Sequence, residues 1–291
     1  MDSKDLILRE LTDKDEEAFF QGLLEWRGED IAWYTFTWKQ GMSYQTMLEI
    51  LRKEKKGIDL APNKVPHTML YAFIEGKIVG RLSVRHELNE NLKKRGGHIG
   101  YAVAPKFRRS GFATEIFKQG LIHCSFLKLK EILITCGEEN IPSCRLIEKF
   151  KGALISKEWD ENSKEFIRKY SVLVDIEEAF LVKAKRTYEI CYPAPLTLEV
   201  GDTVEILKSE DKLSEWYGWH FCRDALGREG WISVDFMELK LGQGKINKSY
   251  TAEELSALEG QVFKVLDESC GWYWCESEKK EFGWLPQNIF S

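Results

Sequence analysis

The stretch GHIGYAVAPKFRRSGFAT, residues 97–114, sets the fold of the first half of this chain. It begins with a β-branched and aromatic run that stops at Pro105, and a basic turn containing Gly111 follows. From Thr114 onward the apolar residues recur at helical spacing. This order of strand, turn and helix predicts a phosphate-binding loop, because the first amides of a helix lack intrahelical acceptors and lie at its positive end.

The side chains of the turn favour the same interpretation. Gly111 has no Cβ to keep the backbone away from an anion, and Ala113 keeps the next contact small. Lys106, Arg108 and Arg109 add positive charge that phosphates favour. The alternative is an ordinary strand-to-helix turn with solvated arginines.

A wider pattern surrounds this turn. Val103, Pro105, Arg108, Gly111 and Ala113 follow the order Val-x-Pro-x-x-Arg-x-x-Gly-x-Ala. The pattern resembles the acetyl-CoA-binding motif of the GCN5-related N-acetyltransferase (GNAT) family. The resemblance covers residues 1–176 and implies an α/β (α+β) acyl-CoA N-acyltransferase fold with a mixed sheet.

The flanking sequence supplies the elements that such a fold needs. Thr12 is expected to cap the first helix, with Asp15 three positions on. Glu75-Gly76 predicts a tight hairpin turn, and residues 87–97 are expected to form a loop. The other predicted elements are a strand at 6–11, a helix at 43–55, strands at 68–74 and 77–86, a strand at 131–136, a helix from Asn140 and a hairpin at 153–174.

Composition excludes several classes of protein. The chain has 291 residues, enough for two or three domains, and its 42 basic residues are scattered among 47 acidic ones. The net charge of −5 argues against nucleic acid as a partner. No apolar segment is long enough to span a bilayer, so we expect a cytoplasmic protein with no membrane partner. The seven cysteines show no Cys-x-x-Cys spacing, so neither a disulfide framework nor a metal site is expected.

The resemblance implies the cofactor site residue by residue. Acetyl-CoA would place its pyrophosphate on the amides from Arg109 to Thr114, and its pantetheine would pair with the strand edge at residues 101–103. Asn140 and Ser143 match the family's Asn-x-x-Ser, in which the Asn contacts the cofactor. The implied cofactor-binding residues are Tyr101, Ala102, Val103, Arg108, Arg109, Ser110, Gly111, Phe112, Ala113, Thr114, Asn140 and Ser143.

The acceptor amine must be neutral to attack a thioester, so a base is required. His98 is the first candidate, because several relatives carry a catalytic Glu at this position before the central strand. Glu87, Glu90 and His86 are competitors, and the alternative for His98 is a structural role in the sheet. Ile147 stands where many relatives place a Tyr that acts as the general acid, so Tyr101 or a water is expected to protonate the leaving thiolate. An amide near Ala102 is expected to stabilise the oxyanion.

The aromatic run at residues 31–38 is the candidate acceptor wall. Trp33, Tyr34 and Trp38 are expected to shape the substrate slot if the run lines the acceptor pocket. The alternative is that these side chains belong to the core, since aromatic residues chiefly bury area.

The second part of the chain repeats itself. GWHFC at residues 218–222 corresponds to GWYWC at residues 271–275, and GWIS at residues 230–233 corresponds to GWLP at residues 283–286. Each copy resembles the SH3 (Src homology 3) domain, which implies two small all-β SH3-like barrels at residues 184–240 and 248–291. The first copy also carries a charged insertion around residues 208–212.

Relatives that bind polyproline use an aromatic groove. The second copy keeps four of its residues, Tyr250, Trp272, Pro286 and Asn288, but has Ile289 in place of the last Tyr. The first copy keeps Tyr188 and Trp219 but has Ser233 and Asp235 in place of Pro and Asn. The alternatives are tryptophans that fill thin barrel cores, and barrels that extend the enzyme or mediate self-association.

Together these features predict an N-acetyltransferase that moves acetyl from acetyl-CoA to a primary amine of a small molecule or a peptide. The competing prediction is a non-catalytic interaction protein, in which a degenerate fold binds CoA or nothing and the SH3-like copies recruit a peptide.

Overall fold

The computed structural model describes Ser3 and residues 6–174, 180–191, 195–209, 218–240 and 242–290. The chain divides into two compact units, Met1–Glu177 and Glu178–Ser291. Each unit has its own buried core. No helix within the described ranges is long and apolar enough to cross a membrane.

The first unit alternates helices and strands. In chain order its elements are β1 (Ile7–Arg9), α1 (Glu16–Leu24), α2 (Ala32–Thr35), α3 (Tyr44–Lys55), β2 (His67–Ile74), β3 (Lys77–Arg85), α4 (Glu90–Lys94), β4 (Ile99–Val103), α5 (Phe112–Phe126), β5 (Glu131–Gly137), α6 (Ile141–Lys149), β6 (Ala153–Asp160) and β7 (Glu165–Leu173).

Strands β1 to β4 form one antiparallel sheet in chain order. The predicted turn between β2 and β3 is present, with positive φ at both Glu75 (48°) and Gly76 (75°), the backbone that a two-residue hairpin requires. One face of β3 packs against α5, where Gly120 leaves room for the Leu82 side chain. The predicted mixture of helices and sheet in this part of the chain is confirmed.

Strands β5, β7 and β6 form a second antiparallel sheet, and its facing edge is separated from β4 by a gap. The gap is closed at one end only. There Gly97 bridges to Ile134, at a place where a Cβ on Gly97 would lie 2.3 Å from the Leu133 carbonyl oxygen. Beyond this point the β4 edge at residues 101–103 has no strand partner among the described residues.

Two local predictions were wrong. Residues 87–97 are not a continuous loop, because Asn89 accepts a hydrogen bond from the Leu92 amide (2.9 Å) and so caps the short helix α4. Thr12 does not cap α1 either. The Asp15 carboxylate accepts instead from the amide and the hydroxyl of Thr12 (both 2.7 Å) and from Arg9, and α1 begins directly after it.

The second unit is strand-rich, as predicted. Its strands are β8 (Phe180–Lys183), β9 (Thr197–Leu198), β10 (Thr203–Ser209), β11 (Trp219–Arg223), β12 (Glu229–Ser233), β13 (Met237–Lys240), β14 (Gln243–Ile246), β15 (Tyr250–Thr251), β16 (Val262–Ser269), β17 (Trp272–Ser277) and β18 (Phe282–Pro286). Of the predicted charged insertion, Glu210, Asp211 and Lys212 lie outside the described residues.

The strands that directly precede the two sequence copies are exchanged between them. β8 directly precedes the first copy but pairs with β16 of the second, whereas β14 directly precedes the second copy but pairs with β10 and β13 of the first. The next segments are exchanged as well, since β15 pairs with β9 and Tyr188 bridges to Ala257. The sheets therefore do not coincide with residues 184–240 and 248–291, and those boundaries remain a prediction about the sequence copies.

Candidate acyl-CoA site

The turn after β4 offers a row of backbone donors. Pro105–Phe107 form a 3-10 turn, Arg109 and Gly111 have positive φ (62° and 84°), and α5 starts at Phe112. The Thr114 amide donates to the Gly111 carbonyl (3.0 Å). The five preceding amides, those of residues 109–113, have no acceptor within the described part of the chain. They are the donors that an anion at this helix terminus would use.

Side chains fix this turn. The Phe112 ring is buried against Phe107 (centroids 6.1 Å apart), which anchors the first residue of α5. Arg108 donates from Nε to the Val103 carbonyl (3.0 Å) and from both terminal nitrogens to the Glu29 carboxylate (2.6 Å each). This exposed pair occupies the guanidinium that the sequence assigns to a phosphate, and it raises the pKa of Arg108.

The open edge of β4 leads from this turn toward α6. The Tyr101 hydroxyl lies 3.1 Å from the Ser143 hydroxyl, so two predicted cofactor residues meet across the gap. Burial raises the pKa of Tyr101, which keeps this phenol protonated at neutral pH. Asn140 caps α6 by accepting the Ser143 amide (3.3 Å).

Two thiols that the sequence analysis did not assign lie at the same place. The sulfurs of Cys136, near the end of β5, and Cys144, in the first turn of α6, are 3.2 Å apart and buried. Burial raises the pKa of Cys136 to about 12, so this thiol is not ionised at neutral pH. No group of three or more possible metal ligands occurs in the described ranges.

His98 lies at the closed end of the gap. Its amide donates to the Leu133 carbonyl (2.7 Å), and its Nδ1 accepts from the Leu133 amide (2.9 Å). A neutral ring that accepts at Nδ1 carries its proton on Nε2, so Nε2 is a donor in this arrangement. Desolvation lowers the pKa of His98. The geometry thus favours the structural role over the predicted role as a base.

The competing bases differ in their surroundings. His86 Nε2 lies 2.9 Å from the Thr68 hydroxyl, and burial together with nearby Lys55 and His67 lowers the pKa of His86 to about 4. Glu90 pairs with Lys93 on the surface (2.8 Å), whereas Glu87 is exposed at the end of β3.

The predicted acceptor wall is mostly core. Tyr34 is fully buried and donates to the Phe19 carbonyl (2.9 Å), so it does not line a slot. Trp38 packs against Phe19 and Phe20 and donates to the Met42 carbonyl (2.7 Å). Only Trp33, 55% exposed, faces outward, and its backbone carbonyl accepts from the buried Arg81.

The aromatic residues of the second unit lie mostly in its core. Tyr250 and Trp272 are buried, and the ring beside Trp272 is Tyr188 of the first copy (centroids 6.0 Å apart). Trp219 contacts Trp272 (5.9 Å), so the polyproline-type tryptophans of the two copies pack on each other. Pro286 is half-buried and Asn288 is exposed.

The comparisons with known proteins address the family. The family model described as "Acetyltransferase (GNAT) domain" matches residues 5–152, just over half of the chain. The chain belongs to the GNAT acetyltransferase family. A second model, "Variant SH3 domain", matches residues 181–239 and 244–291, so the GNAT domain is followed by two SH3-type copies.

Solved structures of GNAT proteins resemble this chain at low identity. They include an acetyltransferase of the GNAT family from Streptococcus pneumoniae (14% identity, 58% of this chain and 98% of that chain, TM-score 0.40). A spermidine N-acetyltransferase SpeG chimera from Vibrio cholerae gives 18% identity, 58% and 96% coverage and a TM-score of 0.40. RimL, a ribosomal L7/L12 α-N-protein acetyltransferase, in complex with coenzyme A, gives 16% identity, 59% and 95% coverage and a TM-score of 0.40. No curated protein matches the chain.

Membership of the GNAT family supports acetyl transfer with a coenzyme-A-based acyl donor as the general activity. The motif residues that carry the resemblance lie together around the turn, the β4 edge and the start of α6. Sequence reasoning missed the charged residues of β3, Arg81 and Arg85. Their signal was two arginines four positions apart, and so on the same face of a mostly apolar strand.

Proposed function

We propose that this chain transfers the acetyl group of acetyl-CoA directly to a primary amine in a ternary complex. The observation that carries the proposal is the row of backbone amides at residues 109–113, which begins α5 and lies next to the unpaired edge of β4. These groups suit a ligand with a pyrophosphate at one end and an extended amide-bearing arm at the other. Gly111 adds no Cβ to the surface on which the phosphates would lie.

Within this proposal the cofactor supplies an acetyl group activated as a thioester. The residues of the chain bind and orient it. The amides of the turn hold the pyrophosphate, and the β4 edge at residues 101–103 receives the pantetheine arm. Holding donor and acceptor together converts a bimolecular reaction into an oriented one, which lowers the barrier substantially. The Ala102 amide is our candidate donor for the oxyanion.

We base the proposed proton-transfer roles on the hydrogen bonds of Tyr101 and His98. The Tyr101 hydroxyl, whose pKa is raised, is the candidate acid for the departing thiolate. His98 holds the sheet through Nδ1 and would need another tautomer to act as a base, so loss of the amine proton to water is the simpler route. Glu87, which is exposed and lies two residues after the last residue of β3, is the other candidate base.

The direct experiment combines binding and turnover. Acetyl-CoA should raise the melting temperature in proportion to its affinity. Release of free CoA thiol should then identify acceptors among amino acids, polyamines, aminoglycosides and peptides. No stabilisation at millimolar acetyl-CoA would contradict the enzyme and favour the non-catalytic interaction protein.

The SH3-type copies suggest a peptide partner or self-association, and the buried tryptophans make a polyproline groove in either copy the weaker of these candidates. A cytoplasmic location stays a prediction from the sequence.

A further inference from the structure

Two arginines, Arg81 and Arg85, lie on the same face of β3. Arg81, Ser83 and Arg85 alternate along the strand, so their side chains share the face opposite to the one that packs on α5. Arg81 is 3% exposed, and Arg85 is partly buried. A pair of guanidinium groups inside a sheet needs a physical reason, because arginine is almost never buried without a partner.

Neither guanidinium has a carboxylate partner among the residues that the structure describes. Arg81 donates from Nε to the Trp33 carbonyl and from Nη1 to the Gly100 carbonyl (3.4 Å). Arg85 donates from Nη1 to the carbonyls of Gly96 and Gly97 (3.2 Å each). In the described ranges no Asp or Glu oxygen lies within 4.0 Å of either group. The backbone carbonyls satisfy some of the N–H groups but do not neutralise the charge.

Glu54, a carboxylate close to the neighbouring strand β2, already has its own partners. Glu54 reaches the neighbourhood of His67, the residue opposite Arg85 on β2, but it accepts from Thr37 (3.0 Å) and pairs with Lys64. Although burial opposes it, hydrogen bonds from His67 and Lys64 hold the pKa of Glu54 at about 2. This carboxylate is therefore fully ionised and already balanced by its own cation.

The electrostatic consequence is a positive region that no carboxylate of the described residues offsets. Burial, with the neighbouring cation Arg85, lowers the pKa of Arg81 to about 10, and burial also lowers the pKa of Arg85. Both groups still carry full charge at pH 7. A buried charge without a counter-ion destabilises the fold, so the buried charge of Arg81, with a second partly buried cation on the same strand face, indicates that an anion completes the site.

The surroundings suit a small planar anion. The exposed rings of Trp33 and Phe36 lie 5.9 Å and 5.2 Å from the Arg81 guanidinium and form an aromatic rim over it. On the β4 side stands Gly100, where a Cβ would lie 3.2 Å and 3.3 Å from the terminal nitrogens of Arg85. The absence of a side chain there lets the guanidinium lie directly against β4.

We infer that Arg81 and Arg85 bind a carboxylate of the acceptor, so that the acceptor is an amine that also carries a carboxylate. The inference rests on the proposed acetyl transfer. It narrows the acceptor to amino acids and peptides and argues against simple polyamines. A guanidinium matches a carboxylate in shape and charge, and hydrogen bonds between charged groups are stronger than those between neutral ones.

Matched amines test this inference. Lysine differs from cadaverine, and ornithine from putrescine, by one carboxylate. The kcat/KM for each amino acid should be at least about 10-fold higher than for its diamine. In Arg85→Gln this preference should disappear, and Arg85→Lys should restore part of it. Arg223→Gln, which changes an exposed arginine of the second unit, should keep the full preference. A dipeptide with a free C-terminal carboxylate is compared with the same dipeptide as its C-terminal amide. This comparison distinguishes a peptide acceptor from a free amino acid.

A binding measurement separates this inference from the proposed function. Glutarate, which has no amine to acetylate, should raise the melting temperature of the wild type without any cofactor, and the shift should be smaller in Arg85→Gln. Equal use of acids and decarboxylated amines, or an acid preference that survives in Arg85→Gln, would overturn the inference. So would a preference for phosphoethanolamine over ethanolamine without any for carboxylates. If acetyl-CoA does not bind, the proposed function fails, and the glutarate shift still decides the anion site.

Discussion

His98 Nδ1 accepts the backbone amide of Leu133 at 2.9 Å, while the His98 amide donates to the Leu133 carbonyl at 2.7 Å. A side-chain nitrogen here takes the place of a backbone acceptor and joins the two sheets where the gap between β4 and β5 closes. Because a carbonyl and an amide inside a protein need partners, the imidazole is part of the scaffold that holds the gap open further along. This relationship assigns His98 to the sheet before any proton transfer is considered.

Two substitutions separate the structural role of His98 from a catalytic one. The amide oxygen of His98→Asn can occupy the position of Nδ1, so this variant should keep the stability and most of the kcat of the wild type. His98→Gln leaves the Leu133 amide without its acceptor and should lose about 1–3 kcal/mol of unfolding free energy. The checks are urea unfolding and CoA release from pH 6.5 to 9. A loss of turnover in His98→Asn at neutral pH that disappears at alkaline pH would instead make His98 the base.

Gly111 tests the anion-binding turn. Gly111→Ala should abolish stabilisation by acetyl-CoA, because φ is 84° and a Cβ would lie 2.9 Å from the Ser3 hydroxyl oxygen, so the turn would have to shift. The left-handed backbone alone costs about 1–2 kcal/mol, so a control with the same strain is needed. Gly41→Ala supplies it, since Gly41 has φ of 89° and open space around it. Retained acetyl-CoA binding in Gly111→Ala would mean that the phosphates lie elsewhere.

Tyr101 tests the protonation of the thiolate. Tyr101→Phe keeps the ring that packs on Phe117 and removes only the hydroxyl. If this hydroxyl donates the proton, kcat should fall about 100-fold with little change in the KM for acetyl-CoA. Ser143→Ala, which removes its hydrogen-bond partner and leaves the phenol, should have a smaller effect. A Tyr101→Phe variant with full kcat would assign the proton to water.

The lowered pKa of His86 predicts that the folded protein loses stability in mild acid. Its pKa is about 4 in the folded protein and about 6.5 in the unfolded chain, so the unfolded chain binds more protons below pH 6.5. Its contribution is complete above pH 6.5 and is lost as the pH falls toward 4. Linkage gives a loss of about 2 kcal/mol between pH 7 and pH 5. Urea midpoints of the wild type should show it, and His86→Gln, which lacks the titrating ring, should show a much smaller difference. Equal acid sensitivity in the two proteins would contradict the assignment.

How far the sequence predicts the site depends on the kind of interaction. The turn at Gly111 and the helix after it follow from local rules, so residues 97–114 were sufficient to place them. Tyr34 and Trp38 were assigned to a pocket because aromatic composition does not tell a core from a wall. Arg81 and Arg85 lie in a strand whose pattern predicts burial, and only the tertiary structure shows that no carboxylate of the described residues lies within 4.0 Å of them.

The exchange of strands between the two copies in the second unit was also not predicted, and the reason is different. Repeats at a fixed offset show that two copies exist, but they do not show which copy supplies each strand. The deciding feature is the junction, where only two residues separate Lys240 from Gln243 and the strands on either side form a hairpin. A junction this short leaves no linker between the last strand of one copy and the first strand of the next, so both lie in one sheet.

The exchange makes a prediction that separate copies do not. Ile246 belongs to the second copy by sequence, yet it is 1% exposed in a core with Val204 and Met237 of the first. Ile246→Ala should cost about 2–5 kcal/mol. Amide hydrogen exchange should therefore rise first in β10 and β13, whereas β16 and β17 should keep their protection. The matched variant is Val182→Ala on β8, which pairs with Phe263 of β16 and should reverse the pattern. If Ile246→Ala instead raised exchange in β16 and β17, each copy would fold on its own first strand, and the exchanged pairing would be wrong.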